Sequence, residues 1–216
     1  MRRDEVQDET RRFYDRISPV YDFIADSSEH EARELGLRLL AVSPGDRVLE
    51  IGCGTGHALV SLMNSVGNAG RVCGIDISAG MVASAHSLVL ASGGYRVGLA
   101  INDVRSLCFA SNAFDSVFMS FTLELLDVAI PHVLAEVRRV LKPAGRIAVV
   151  ALAKAEVPTV ASHVYEWVHR HWPHVVDCTP IDVVGLLRTA GFDVADVAST
   201  HIWTLPVAIV VGKQRA

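Results

Sequence analysis

Residues 48–56 read VLEIGCGTG, a short apolar run carrying one acid, Glu50, that breaks into glycines at 52, 54 and 56. A run of this kind reads as a buried strand entering a tight turn, where glycine supplies positive φ and lets backbone approach a ligand closely. A phosphate-binding P-loop follows its glycines with Lys and then Ser or Thr, and none follows Gly56. The dinucleotide fingerprint is G-x-G-x-x-G, whereas the spacing here is G-x-G-x-G. Glu50 at the strand end would also repel a pyrophosphate, so the turn suits a cationic or hydroxyl-bearing ligand better.

Working outward, strand-like and helix-like stretches alternate. "RVLEIG" is followed by a helix from His57 to about Val66, then "RVCGIDI", a helix from about Ala79 to Ala91, "YRVGLAI", "FDSVFMSF", a helix from about Ala129 to Leu141, and "GRIAVVAL". This pattern predicts an α/β fold with a mainly parallel sheet covered on both faces, and a ligand site at the carboxyl ends of its strands. Upstream, residues 1–40 read as helices lying over something, with Phe13, Tyr14, Tyr21 and Phe23 around the breaker Pro19. Downstream, residues 154–178 form a less regular insert rich in His and Trp. In "TPIDVVGLLRTAGF" Thr179 is expected to cap a helix, with Pro180 in its first turn and Gly191 ending it. Two final strands, "DVADVAS" and "LPVAIVVGK", are expected to pair antiparallel. Residues 1–216 are read as one domain.

The strand ends supply further chemistry. Asp76 closes "GID", where a carboxylate accepts the two hydroxyls of a ribose. Asp103 in "INDVRSL" follows the next strand and offers an acceptor for an exocyclic amine or a ring edge. With Glu50, these acids describe an adenosine bearing a positively charged, phosphate-free substituent.

Composition narrows the class. The 216 residues are 50% hydrophobic with a formal net charge of -4, which argues for a globular chain and against a broad nucleic-acid footprint. No stretch approaches the length of a membrane span, although Arg2, Arg3, Arg11 and Arg12 allow a surface contact. Cys53, Cys73, Cys108 and Cys178 are widely spaced without a CxxC pair, and a reducing, cytoplasmic setting fits them.

From "VLEIGCGTG" through "GIDIS", "NDV", "FDSVFMSFTLELL" and "EVRRVLKPAGRIAVV" to "LLRTAGF", the chain resembles the class I S-adenosylmethionine-dependent methyltransferases. With "FYDRISPVYDFI" it is similar to their ubiquinone/menaquinone C-methyltransferase group. The resemblance implies a Rossmann-like seven-stranded sheet with its last strand antiparallel, an N-terminal helical lid, and S-adenosyl-L-methionine as cofactor. It implies that Gly52, Cys53, Gly54 and Gly56 line the methionine portion above Glu50, and that Asp76 takes the ribose. It further implies that Ile77 and Met81 flank the adenine, that Asp103 and Val104 meet its edge, and that Ser120, Phe121 and Thr122 close the floor. Tyr14 and Tyr21 match the lid's aromatic positions.

The expected reaction is methyl transfer to a small, fairly apolar acceptor, with a ring carbon of a quinone-like or aromatic molecule as the leading reading. The alternatives are N-methylation of a phospholipid or small amine and a cofactor-binding subunit without turnover. The sulfonium already activates the methyl, so the protein's task is to align the acceptor and exclude water. Glu124, His163 and Tyr14 are the candidate catalytic residues. The plain reading of Glu124 is a solvated carboxylate at a helix start. His163, His169, His171 and His174 lack a same-face pair at i and i+4, so no metal is expected. Oligomeric state stays open.

Overall fold

The apolar runs become strands buried on both faces, and the amphipathic segments become the helices that bury them. In a computed structural model, residues 26–94, 96–154, 179–202 and 205–215 are described. The first helix, α1 (Asp26–Leu40), precedes β1 (Arg47–Ile51), α2 (His57–Val66), β2 (Arg71–Asp76), α3 (Ala79–Ala91) and β3 (Val97–Ile101). There follow β4 (Phe114–Ser120), two single 3₁₀ turns at Leu123–Leu125 and Asp127–Ala129, α4 (Ile130–Val140), β5 (Leu141–Leu152), α5 (Val183–Thr189), β6 (Phe192–Ile202) and β7 (Leu205–Gln214). Residues 1–25 of the expected lid over 1–40 and residues 155–178 of the insert over 154–178 lie outside the described residues, and Tyr14, Tyr21 and His163 with them.

The seven strands form one sheet in the order β3-β2-β1-β4-β5-β7-β6. Strands β1 to β5 pair in parallel, and β7 runs antiparallel to both β5 and β6. The expected architecture is therefore present. The chain winds outward from β1 to β3 and then returns to β4 beside β1, so the order reverses between β1 and β4. That reversal opens a crevice at the strands' carboxyl ends.

Successive strand residues feed opposite cores. Leu49, Val117 and Ile147 pack with Val133, Leu134 and Val137 of α4 and Leu187 of α5. Their neighbours Val48, Phe118 and Ala148 pack with Leu40 of α1, Leu59 and Leu62 of α2 and Val89 of α3. On this second face α1 comes unusually near the sheet: a Cβ at Gly36 would stand 2.4 Å from Val150 Cγ2 and 3.2 Å from Phe118 Cε2.

One expected boundary is corrected. Asp182, not Thr179, caps α5, and its carboxylate accepts the Gly185 N–H at 2.9 Å. Pro180 lies before the helix because the next N–H, that of Ile181, donates to Leu152 O at 3.0 Å, and Ile181 bridges Ala153 as a strand would. Gly191 ends the helix as expected, at φ 86°. The strand at "GRIAVVAL" is also longer than expected. It begins at Leu141, opposite Phe114, and shifts register before Arg146 pairs with Ser116. No helix among the described residues is long and apolar enough to cross a membrane.

Candidate active site

The glycine turn is built by backbone bonds across to β2. The N–H groups of Gly52 and Cys53 both donate to Ile75 O, at 2.8 and 3.0 Å. Gly52 has φ 70°, and a Cβ there would stand 2.2 Å from Thr122 Oγ1, so the turn after β4 sits directly on it. Gly54, at φ 51°, has open space where a Cβ would point. Gly56 begins α2 with φ 96° and would meet the Ala85 backbone of α3 at 2.9 Å. One glycine packs against a neighbouring turn, one faces the crevice, and one lets two helices close.

Asp76 is fixed from two sides. Its Oδ2 accepts the Gly54 N–H at 3.0 Å and its Oδ1 accepts the Ser78 N–H at 2.9 Å. These two bonds orient the carboxylate at the crevice wall. Ser78 caps α3 by accepting the Met81 N–H at 3.1 Å, which brings Met81 to the crevice wall beside Ile77.

Glu50 is 3% exposed, and its Oε2 has no hydrogen-bond partner among the described residues. Burial holds its carboxyl well above the ordinary range; Arg33 opposes this and Asp76 adds to it. A buried acceptor left unsatisfied is costly, so the atom marks a place for a donor or cation. Cys53 beside it is buried, and burial pushes its thiol up, which makes it an inert wall rather than a nucleophile.

The crevice is lined by residues 50–58 of β1 and the glycine turn, by Ile75, Asp76, Ile77 and Met81, by Asn102, Asp103 and Val104, and by Ser120, Phe121 and Thr122. Every cofactor residue expected from the sequence that lies within the described residues meets here. Phe121 holds φ 50°, a conformation uncommon for a bulky residue, and its N–H donates to Val150 O at 2.8 Å. Thr122 Oγ1 donates back to Ser120 O at 2.9 Å. Asp103 differs from the reading of an open acceptor: Arg105 grips both its carboxylate oxygens through Nε at 3.0 Å, and this bond holds its carboxyl below the ordinary range.

Glu124 is not the solvated carboxylate of the plain reading. It is 2% exposed, its Oε1 accepts the Leu152 N–H at 3.2 Å, and its Oε2 has no partner among the described residues. Burial is the main cause that pushes its carboxyl up to about 8. Thr122 and Leu125, on either side of it, line the crevice, while Glu124 itself lies behind that wall.

Some lining residues were missed from the sequence. Thr55 and Asn102 lie within or next to the quoted motifs, and their position there was the available signal. Glu29 and Arg33 come from α1, where they look like the polar face of an ordinary amphipathic helix.

Residues 48–145 match the family described as a methyltransferase domain. The 2-phytyl-1,4-naphtoquinone methyltransferase of Trichormus variabilis is 33% identical over 149 residues, 67% of this chain and 65% of its own. Over this core the chain is similar to the class I S-adenosylmethionine-dependent methyltransferases. The demethylmenaquinone methyltransferase of Bacillus cytotoxicus is 34% identical over 62% of this chain and 58% of its own length. The match thus spans less than two thirds of these curated relatives. Among solved structures, a SAM-dependent methyltransferase from Aquifex aeolicus superposes with a TM-score of 0.67 at 22% identity, covering 92% of this chain and 97% of its own. The 1,6-didemethyltoxoflavin-N1-methyltransferase of Burkholderia thailandensis gives a TM-score of 0.73 at 16% identity over 100% of this chain and 92% of its own. These two likenesses establish the shared fold. The crevice fits the cofactor of such enzymes, S-adenosyl-L-methionine: Glu50 Oε2 is buried without a hydrogen-bond partner among the described residues, the space over Gly54 is open, and Asp76 lines the wall.

Proposed function

We propose that this methyltransferase transfers a methyl group from S-adenosyl-L-methionine to a ring carbon of a quinone-type small molecule. The observation that carries the cofactor half is the orphaned carboxylate of Glu50 beside a glycine turn that leaves room above Gly54. Support for the acceptor half comes from the Trichormus variabilis and Bacillus cytotoxicus relatives named above, both quinone methyltransferases by name.

In this reading Asp76 takes the ribose hydroxyls, Glu50 the methionyl ammonium, and the turn from Gly52 to Gly56 the thioether chain. Ile77 and Met81 flank the adenine, and Asp103 and Val104 meet its edge, with the Asp103 carboxylate already committed to Arg105. Ser120, Phe121 and Thr122 close the floor of the cofactor site. The cofactor brings a methyl already activated on a sulfonium, so alignment and exclusion of water are the main work of the chain.

A ring carbon flanked by a hydroxyl becomes nucleophilic once that hydroxyl loses its proton, so a base is useful. Glu124 is the candidate within the described residues, through its unpartnered Oε2. A carboxyl displaced toward neutral pH takes protons more effectively than an ordinary one. His163 and Tyr14, outside the described residues, keep their candidate roles from the sequence, as base and as lid aromatic. So do the proposed divisions of the chain into a lid over 1–40 and an acceptor cover over 154–178.

The test is a radiolabelled-methyl assay over a panel of naphthoquinols, phenols, small amines and phospholipid vesicles. Label in the ring carbon of a quinol is the expected result. Label confined to an amine or a lipid head group would refute the acceptor, and cofactor binding without label in any class would leave a binding subunit instead.

A further inference from the structure

We propose that Cys73 and Cys108 close into a reversible disulfide that ties the loop after β3 to the sheet and weakens ligand binding in the crevice. The effect on binding rests on the reading of that crevice as an S-adenosylmethionine site.

Cys73 lies in the middle of β2, on the face that carries Ile75, and packs against the core that Leu107 enters. Its register partner on the outer strand β3 is Gly98. Gly98 is exposed, and a Cβ there would stand 3.5 Å from Cys73 Sγ. A side chain at 98 would cover the sulfur. The glycine instead leaves it half-buried at an open edge of the sheet.

The chain that leaves β3 travels back over this face. The Asn102 N–H donates to Asp76 O at 3.0 Å, level with the end of β2. Further on, the Phe109 ring meets the edge of Phe114 at 5.0 Å, where β4 begins. Ser116 shares a level with Val48 and Val72, so Phe114 stands below Cys73 and Asn102 above it. Between them Leu107 is buried in the core and Cys108, the next residue, is exposed. The descending loop thus carries Cys108 past Cys73. The electrostatics agree: burial pushes the Cys73 thiol up, Arg47 opposes this, and Cys108 adds to it, an influence that weakens with distance. Cys53, by contrast, is buried at the glycine turn.

The exposed Cys108 is the thiol that an oxidant meets first. With a small disulfide such as oxidised glutathione, the Cys108 thiolate attacks one sulfur, expels one glutathione thiol and forms a mixed disulfide. The Cys73 thiolate then attacks Cys108 Sγ and releases the second glutathione thiol. One S–S bond breaks and another forms. Two electrons pass from the cysteines to glutathione, and the two cysteine protons leave on the two glutathione thiols.

The loop transmits the change to the crevice. The Cys108 N–H donates to Asn102 Oδ1 at 3.3 Å, and Asn102 Nδ2 donates to Ser106 O at 3.2 Å, which closes the loop on a residue of the crevice wall. Asp103 and Val104 continue that wall. Arg139 holds Leu107 O at 3.0 Å and Phe109 O at 2.7 Å, on either side of Cys108. The loop therefore cannot slide as a whole, and drawing Cys108 onto β2 displaces Asn102 and its neighbours.

The experiment compares the full chain after reduction with dithiothreitol and after oxidation with excess oxidised glutathione. Tryptic cleavage puts the four cysteines on separate peptides, Cys73 on 72–96 and Cys108 on 106–138, so mass spectrometry of an unreduced digest identifies the bridge. The expected result is a 72–96 peptide joined to 106–138. With it, calorimetry should show S-adenosylhomocysteine weakened about 5- to 30-fold, and dithiothreitol should restore the affinity. Cys73→Ser and Cys108→Ser should each bind equally well with and without oxidant; comparing each variant with itself removes any loss of folded protein. Glutathione retained on Cys108 without the bridge would overturn the inference, and so would a bridge that leaves affinity unchanged. If the reduced protein bound no S-adenosylhomocysteine, the cofactor reading would fall, and the switch with it.

Discussion

Replacing Glu124 by Gln should change how the protein's stability depends on pH, in a direction and size set by its burial. The side chain is 2% exposed, and its carboxyl titrates near pH 8 in the fold, burial being the main cause. In the unfolded chain the same group titrates at about 4.3. Between those values the folded protein keeps a proton that the unfolded chain has released. The native state is therefore favoured at low pH, and its stability falls as pH rises toward 8. One proton corresponds to about 1.4 kcal/mol per pH unit, tapering at both ends, so Glu124 costs the wild type about 3–4 kcal/mol between pH 5 and pH 8. Gln keeps an oxygen to accept the Leu152 N–H and does not ionise. The assay is urea unfolding of both proteins at pH 5, 6, 7 and 8, reading the stability difference at each pH. Contributions of all other groups, Glu50 included, cancel in that difference. The variant should gain on the wild type at each step, by about 3–4 kcal/mol in total. A difference that stays constant within about 0.5 kcal/mol across the range would show that Glu124 is ionised in the fold, and the argument from burial would be wrong.

Asp76→Ala removes the proposed ribose acceptor together with two backbone anchors, and should weaken S-adenosylhomocysteine at least about 100-fold by calorimetry; unchanged affinity would sink the site assignment. Gly52→Ala places a Cβ 2.2 Å from Thr122 Oγ1 at a φ of 70°, and should cost about 1–3 kcal/mol in denaturant unfolding. A stability equal to wild type would show that the turn after β4 moves freely. Arg139 of α4 donates to Phe109 O at 2.7 Å and Leu107 O at 3.0 Å, while its partner Glu136 accepts the Leu107 N–H at 3.0 Å. These bonds moor the loop that follows Asp103 and Val104. Arg139→Met should therefore raise KM for the cofactor about 3- to 30-fold with a smaller change in kcat, and equal losses in both would place its role elsewhere.

The sequence revealed most where chemistry is local. The alternation of apolar runs with amphipathic stretches located the central strands, and the G-x-G-x-G turn with Asp76 located the crevice, because each signal lies within one strand-turn-helix unit. Thr179 and Pro180 misled for the opposite reason. They carry good cap and first-turn propensities, yet the Ile181 N–H is committed to Leu152, nearly thirty residues away in the chain, and a non-local bond of that kind leaves no local trace. Glu124 and Arg33 were equally opaque. A carboxylate after a strand and an arginine on a helix look solvated until packing buries them, and here the burial of Arg33 goes with a contact at Gly36 between separate elements. Asp103 lines the crevice, but its grip by Arg105, two residues on, has no signal in the sequence that sets it apart from any other nearby pair of opposite charges.

The position of β7 has a consequence in time as well as in space. It sits between β5 and β6, pairing with both, and it follows all six other strands in the chain. While the protein is being made, β6 emerges first and finds no place to dock, and the flank of β5 stays bare until the final strand slides in. That interval leaves an unpaired apolar edge open to neighbouring nascent chains. A ribosome that pauses or terminates just short of Leu205 would thus release more than a shortened protein: it would release a sheet cut at β5, with one strand adrift and a ready template for aggregation.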